Sequence, residues 1–274
     1  MVRSVSQSVL FRQFPLDHLD TLAPVVAQVY GLNDYDARSK IRKGWGFLER
    51  EATEEEAQRI VEAVGDCGGG VLAIDNTAVR APAEPRVTTG VEFASNGFTL
   101  RLQSPKDPTR FLEWAQAEIV SAGQFSEEII KRASGGDEQK MGAMMVGVGV
   151  FLATGIPPGL LGGGNKKKKK EEKPVKSTRT ITFARVVTTA GEQFALSPEH
   201  FDFSGLGAKK QLNTAANFRV LLGELSGLTS AKVNLGARLL LDNRSLSFAN
   251  YTGPHDFETE LLWLLNATRS ASAE

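Results

Sequence analysis

Residues 141–161 read MGAMMVGVGVFLATGIPPGLL, followed by GGGN at 162–165 and KKKKK at 166–170. The reading of this stretch decides which parts of the chain can fold together. Its 21 residues carry no charge and, as one helix, would just cross the roughly 30 Å of hydrocarbon in a bilayer. The lysines would then mark the cytoplasmic side. Two features speak against a crossing. Glycines recur at 142, 147, 149, 155 and 159, and Pro157-Pro158 would break the last turn. A crossing would also leave residues 1–140 and 171–274 on opposite sides, although the N-terminus (MVRSVSQSVLFRQFPLDHLD) has no apolar core of signal-peptide length. Two other readings are favoured over a crossing. The run packs as a hairpin or loop against its own protein, or it makes a reversible contact with a partner or an anionic membrane. The second reading would use Val148, Val150, Phe151 and Leu152 beside Lys166, Lys167 and Lys168. The lysines have no interleaved aromatic residue and meet Glu171-Glu172, so a solvated linker is expected and nucleic acid is not.

The flanks of the run read as strands. Before it, Val91–Ala94 and Phe98–Gln103 are joined by Ser-Asn-Gly, a hairpin-type turn, and Arg110–Trp114 and Ile119–Phe125 follow, the last broken at Gly123. After it come Thr180–Thr188, Gln193–Leu196 and His200–Phe203. A helix then covers Ala215–Leu225, with Asn213 or Thr214 as cap and Phe218, Leu221, Leu222 and Leu225 on one face. Four strands on one side cannot close a barrel and would leave open edges. Strands 87–126 plus 178–228 are therefore expected to form one domain, with 127–177 looping out between them. A meander with a tryptophan ending its third strand, later closed by an amphipathic helix, is similar to a pleckstrin-homology-like barrel. A separate α+β domain at 178–274 is the alternative. Residues 229–274 add a C-terminal helical segment, with helices at Leu235–Leu241 and Phe257–Leu265.

Residues 1–77 read as a β-α-α-β-α-β module. Ser8–Phe14 alternates like a strand. Leu16–Tyr30 carries Leu19, Leu22, Val26 and Val29 at helical spacing, with Pro24 tolerable only in a first turn, and Gly31 stops it. Asp34–Lys43 is a short helix with acidic residues first and basic residues last, as the helix dipole prefers. Trp45–Arg50 reads as a strand. Thr53 and Glu56 form a capping box for a helix reaching about Cys67, and Val71–Asp75 is the last strand. Residues 78–86 (AVRAPAEPR) are a proline-bearing linker.

That order resembles the C-terminal domain of the bacterial ribosomal stalk protein, whose fold is shared with the protease adaptor ClpS. The resemblance runs from Val9 to Asp75 and rests on Gly31-Leu32, Ala37, Leu48, Thr53, Ala57, Gly68 and Val71. It implies a binding module, because the stalk domain grips translation factors with basic residues on its first two helices. Arg38 falls where one such lysine would lie, while the first-helix positions are Pro24 and Ala27. The local basic cluster of Arg38, Lys40, Arg42 and Lys43, with Trp45 beside it, is a candidate partner-binding face. The plainer reading is a solvated helix end, and for Trp45 a core residue at a strand start.

Composition excludes little. Lysine plus arginine balance aspartate plus glutamate at 32 each, so no global field selects a charged partner. A single cysteine, Cys67, allows neither an internal disulfide nor a cysteine metal cluster and fits a reducing, cytoplasmic compartment. Catalytic motifs fail on inspection. Gly159 to Lys166 approaches a phosphate loop, but Asn165 stands where lysine must follow glycine. Gly147 and Gly149 do not extend to a dinucleotide fingerprint. Ser204–Lys210 (SGLGAKK) offers either an anion nest or a glycine turn. His18, His200 and His255 are isolated. No cofactor, metal or catalytic site is expected. The chain reads as an α+β interaction or adaptor protein binding another protein, with two alternatives: a peripheral membrane protein docking through 141–170, or an enzyme with a non-local site, for which a pocket lined by His200, Asp202 and Lys209 would be the sign.

Overall fold

A computed structural model describes residues 6–131 and 175–267. The protein has both helices and strands, and its chain divides into two compact units, 1–82 with 251–274 and 83–250. The candidate membrane residues Val148, Val150, Phe151, Leu152 and Lys166–Lys168 lie outside the described residues. Among the described residues no helix is long and apolar enough to cross a membrane.

The first unit starts with β1 (Gln7–Phe11), α1 (Leu19–Tyr30), α2 (Asp34–Lys43), β2 (Phe47–Ala52), α3 (Glu54–Val64) and β3 (Val71–Asp75). Its three-stranded sheet has the order β2-β1-β3, antiparallel throughout. The starts of α2 and α3 are capped as their sequences dictate. Asn33 accepts from the Asp36 N–H, and Thr53 and Glu56 form the reciprocal capping box. Val9, Phe11, Leu22, Val26, Ile41, Leu48 and Ile60 share one core. Two local readings change. A 3₁₀ turn at Pro15–His18 delays α1 to Leu19, so Pro24 lies inside the helix rather than in its first turn. Pro24 and Asp20, whose carbonyl loses its helical partner, are both exposed, so water can take that bond. Gly31 ends α1 in the left-handed region, at φ 65°.

The unit is completed by α6 (Pro254–Ala267), contributed by the far end of the chain. The Trp263 indole, 2% exposed, donates a hydrogen bond of 2.7 Å to the Phe11 carbonyl and packs against Phe14. The segment 229–274 is thus divided between the two units.

The second unit is a seven-stranded sheet with two helices. Its strands are β4 (Pro85–Ala94), β5 (Gly97–Leu102), β6 (Thr109–Glu113), β7 (Ala117–Lys131), β8 (Val175–Thr188), β9 (Gln193–Leu196) and β10 (Lys232–Val233). They lie in the order β10-β7-β8-β9-β4-β5-β6. Strands from both sides of the apolar run therefore share one sheet. β7 and β8 pair antiparallel from Ala117↔Thr188 to Lys131↔Val175, and Gly123 does not break β7 but sits opposite Phe183. Helices α4 (Thr214–Leu228) and α5 (Leu235–Leu241) bury Phe218, Leu221, Leu222, Leu225 and Leu240 against Val91, Phe98, Leu100, Val186 and Phe194 of the sheet.

A closed pleckstrin-homology-like barrel does not form. The outer side of β7 is taken by β10, parallel at Lys232↔Ile119, while β6 pairs only with β5, so the sheet ends at β10 and β6. The strand expected at His200–Phe203 is also absent. Pro198–His200 and Phe203–Lys209 are 3₁₀ turns, and Asp202 makes an isolated bridge to Gly90. Asp202 turns the chain because its carboxylate accepts both the Ser204 N–H and hydroxyl, at 2.9 Å each.

Candidate functional site

A cleft of about 320 Å³ lies in the first unit beside the basic cluster. One wall is the end of α2, with Lys40, Lys43 and Gly44. A second is the start of α6, with His255, Asp256 and Thr259. Between them run Trp45 and four successive residues of β2, Phe47, Leu48, Glu49 and Arg50.

The turn Gly44-Trp45-Gly46 shapes this cleft. The strand read from Trp45 begins only at Phe47, because Trp45 and Gly46 lie in the left-handed region at φ 49° and 93°. Gly44 N–H closes α2 on the Lys40 carbonyl, and the Gly44 carbonyl accepts from Phe47 N–H at 2.9 Å. At Gly46 a Cβ would come within 2.0 Å of the Trp263 ring, so only glycine lets the turn approach α6. Trp45 is half-buried, neither fully exposed nor a core residue. One face stacks on Tyr251, with ring centroids 4.7 Å apart, and the Tyr251 hydroxyl donates to the buried Glu260 carboxylate. The indole is held as a plate on a platform that is itself fastened down.

The basic residues separate into two kinds. Arg38 binds Asp20 and Asp34, each at 2.7 Å, and Lys40 binds Glu49 at 3.2 Å and lies 4.2 Å from the centre of the Tyr30 ring. Their charges are spent locally. Arg42 and Lys43 are exposed, and neither makes an ion pair among the described residues. The Arg50 guanidinium lies over the Phe47 ring, at 4.6 Å, and makes no ion pair among the described residues. The acids of the cleft are engaged: Glu49 accepts from Lys40 and from the Arg50 N–H, and Asp256 accepts the Thr252 N–H and hydroxyl. Beneath Lys40, burial first and Glu49 second push the Tyr30 phenol above its ordinary pKa. Its buried hydroxyl has no hydrogen-bond partner among the described residues.

The five basic and aromatic candidates fall within eight residues of sequence, and Lys40, Lys43 and Trp45 meet in the cleft. His255 reads as isolated in the sequence, and Tyr251, Asp256 and Glu260 carry no signal there, because α6 and the residues before it lie far along the chain. No spacing rule connects them to Trp45.

Of the residues proposed as a sign of catalysis, two are held in ion pairs and none lines the cleft described above. Asp202 is bound by Arg101 at 2.6 Å and by Ser204, which hold its carboxyl near a pKa of about 2, with the Arg101 bond the leading cause. Lys209 binds Glu224 at 2.6 Å, and His200 is exposed. The loop Ser204–Lys210 is a 3₁₀ turn whose Lys210 N–H bonds back to Gly207. Among the described residues no group of His, Cys, Asp and Glu could hold a metal ion.

Fold and site together define an α+β protein with a basic, tryptophan-walled cleft beside a sheet edge. No family model, curated protein or solved structure matches the chain.

Proposed function

We propose that the chain is an interaction protein and that a partner protein docks in the cleft formed by α2, β2 and α6. The observation that carries this is Trp45. A bulky residue in the left-handed region costs roughly 1–2 kcal/mol relative to glycine, and such strain collects at binding sites. Here it sets a half-exposed indole beside two uncommitted cations. Rigid aromatic plates next to unpaired basic side chains are the usual anchors of protein interfaces. The resemblance of residues 9–75 to the ribosomal stalk domain, a binding module, supports the same reading.

Photo-crosslinking tests it. A Lys43→benzoylphenylalanine chain in its native cells is expected to give a discrete protein adduct that Trp45→Gly abolishes. The same crosslinker in place of Lys210, on the second unit, should not give that adduct. No adduct from position 43, or one indifferent to Trp45→Gly, would overturn the reading.

A further inference from the structure

The cleft is bounded by a sheet edge, and that edge says how a partner would bind. β2 is the outer strand of the order β2-β1-β3, so among the described residues one side of its backbone faces no strand. Four successive residues, Phe47 to Arg50, line the cleft. Phe47 and Leu48 are 3% and 2% exposed, backbone included, so the strand is covered there. The part of the edge open to a partner is residues 49–51, which are intermediate to exposed. β2 also carries an irregularity there: Leu10 pairs with Phe47 and Val9 with Glu49, leaving Leu48 as an extra residue. Bulges of this kind bend a strand and re-aim its groups beside binding sites.

We infer that the partner supplies an extended acidic segment, which adds to the free edge of β2 as a fourth strand and sets its carboxylates against Lys43 and Arg50. This rests on the interaction reading above and specifies its chemistry. Main-chain bonds along an exposed edge give affinity, and flanking side chains give selectivity. The edge itself (Phe47-Leu48-Glu49-Arg50-Glu51) is charged, which discourages an apolar strand. The local charge selects an acidic one. Glu49 and Asp256 are already hydrogen-bonded, whereas Lys43 and Arg50 carry no ion pair among the described residues, and Arg42 adds a third free cation at the end of α2. The start of α6 at His255 adds the positive end of a helix dipole to the same wall. Alternate side chains of the added strand can meet Trp45.

The full-length protein serves for the test, with capped octapeptides as probes: alternating Glu and Val, alternating Glu and Pro, and alternating Lys and Val. The Glu-Val peptide is expected to bind and to slow amide exchange at residues 49–51 by about tenfold or more, read residue by residue by NMR. Lys43→Glu, an exposed change that leaves the fold intact, should weaken it about tenfold. The Glu-Pro peptide has the same charge but lacks the N–H groups of a ladder, and should bind at least about tenfold more weakly without protection. Equal binding of Glu-Pro, or binding without protection at 49–51, overturns strand addition. Equal binding of Lys-Val overturns the acidic preference. Failure of every peptide overturns the inference. In each of these cases a Trp45-dependent adduct would leave the interaction reading standing, and its absence would remove both.

Discussion

At the scale of single residues, the Tyr30 hydroxyl and the Asp202 carboxylate show opposite uses of a polar group. Tyr30 buries its hydroxyl without a partner, so the group's desolvation is not repaid. Tyr30→Phe keeps the ring under Lys40 and is expected to leave stability unchanged or raise it by up to about 1–2 kcal/mol, read as the urea midpoint. Asp202 is instead over-satisfied, its pKa lowered to about 2 by Arg101 first and by Ser204 next. A depressed folded pKa means the stabilisation is full above the unfolded value of about 3.9 and is lost as pH falls toward the folded one. The stability gap between the protein and Asp202→Asn should therefore be present at pH 6 and vanish as pH falls from about 4 to about 2. Arg101→Met should move the Asp202 titration, followed by carboxyl NMR, back up toward the ordinary range. Trp45 stands between these cases. Its strain and its stacking on Tyr251 are of similar size, roughly 1 kcal/mol each. Trp45→Gly is accordingly expected to keep the melting temperature nearly constant while docking is lost.

At the scale of elements, the second unit depends on one buried amide. The Asn234 side chain, 1% exposed, accepts the Ala122 N–H and donates to the Ala122 carbonyl, both at 2.9 Å, and its oxygen also caps Ala237 at the start of α5. It thereby satisfies the backbone of β7 where α5 crosses it. Asn234→Ala removes the cap and leaves two buried backbone groups without that partner, for an expected loss of about 2–4 kcal/mol. Asn234→Asp should fare better than Ala but worse than Asn, since a carboxylate can accept the N–H bonds yet cannot donate to the carbonyl. Denaturant midpoints of the two variants check the order. The capping role of this asparagine is the kind of local rule a sequence displays; its bonds to Ala122, 112 positions away, are not.

At the scale of the whole molecule, the first unit is discontinuous in sequence, closed by a helix that arrives after residue 250. Trp263 joins its two pieces across 252 positions by the bond to Phe11. A fragment ending at Pro82 lacks that helix, and it should be destabilised by at least the roughly 3–5 kcal/mol typical of deleting a buried tryptophan. A chain in which a flexible Gly/Ser linker replaces 83–250 should recover dispersed amide NMR signals, and the fragment alone should not. The pairing of β7 with β8 bears on the apolar run. The two strands that flank it are paired from Ala117↔Thr188 to Lys131↔Val175 and so belong to one sheet.

What the amino-acid sequence determined by itself was local. The capping box at Thr53, the dipole-matched α2 and the stop at Gly31 follow from forces acting within one turn of chain, and they appear where the residues put them. The basic cluster was equally legible, being contiguous. Which of its charges stay free was decided only in three dimensions, by carboxylates such as Asp20 and Glu49 brought in from other elements. The open sheet was decided the same way, by a two-residue strand, β10, too short for any periodicity to reveal. Long-range pairing depends on the summed burial of partners far apart in the chain, and no window of sequence contains both. The stretch at 141–170 named the question of connectivity; the ladder between β7 and β8 answered it.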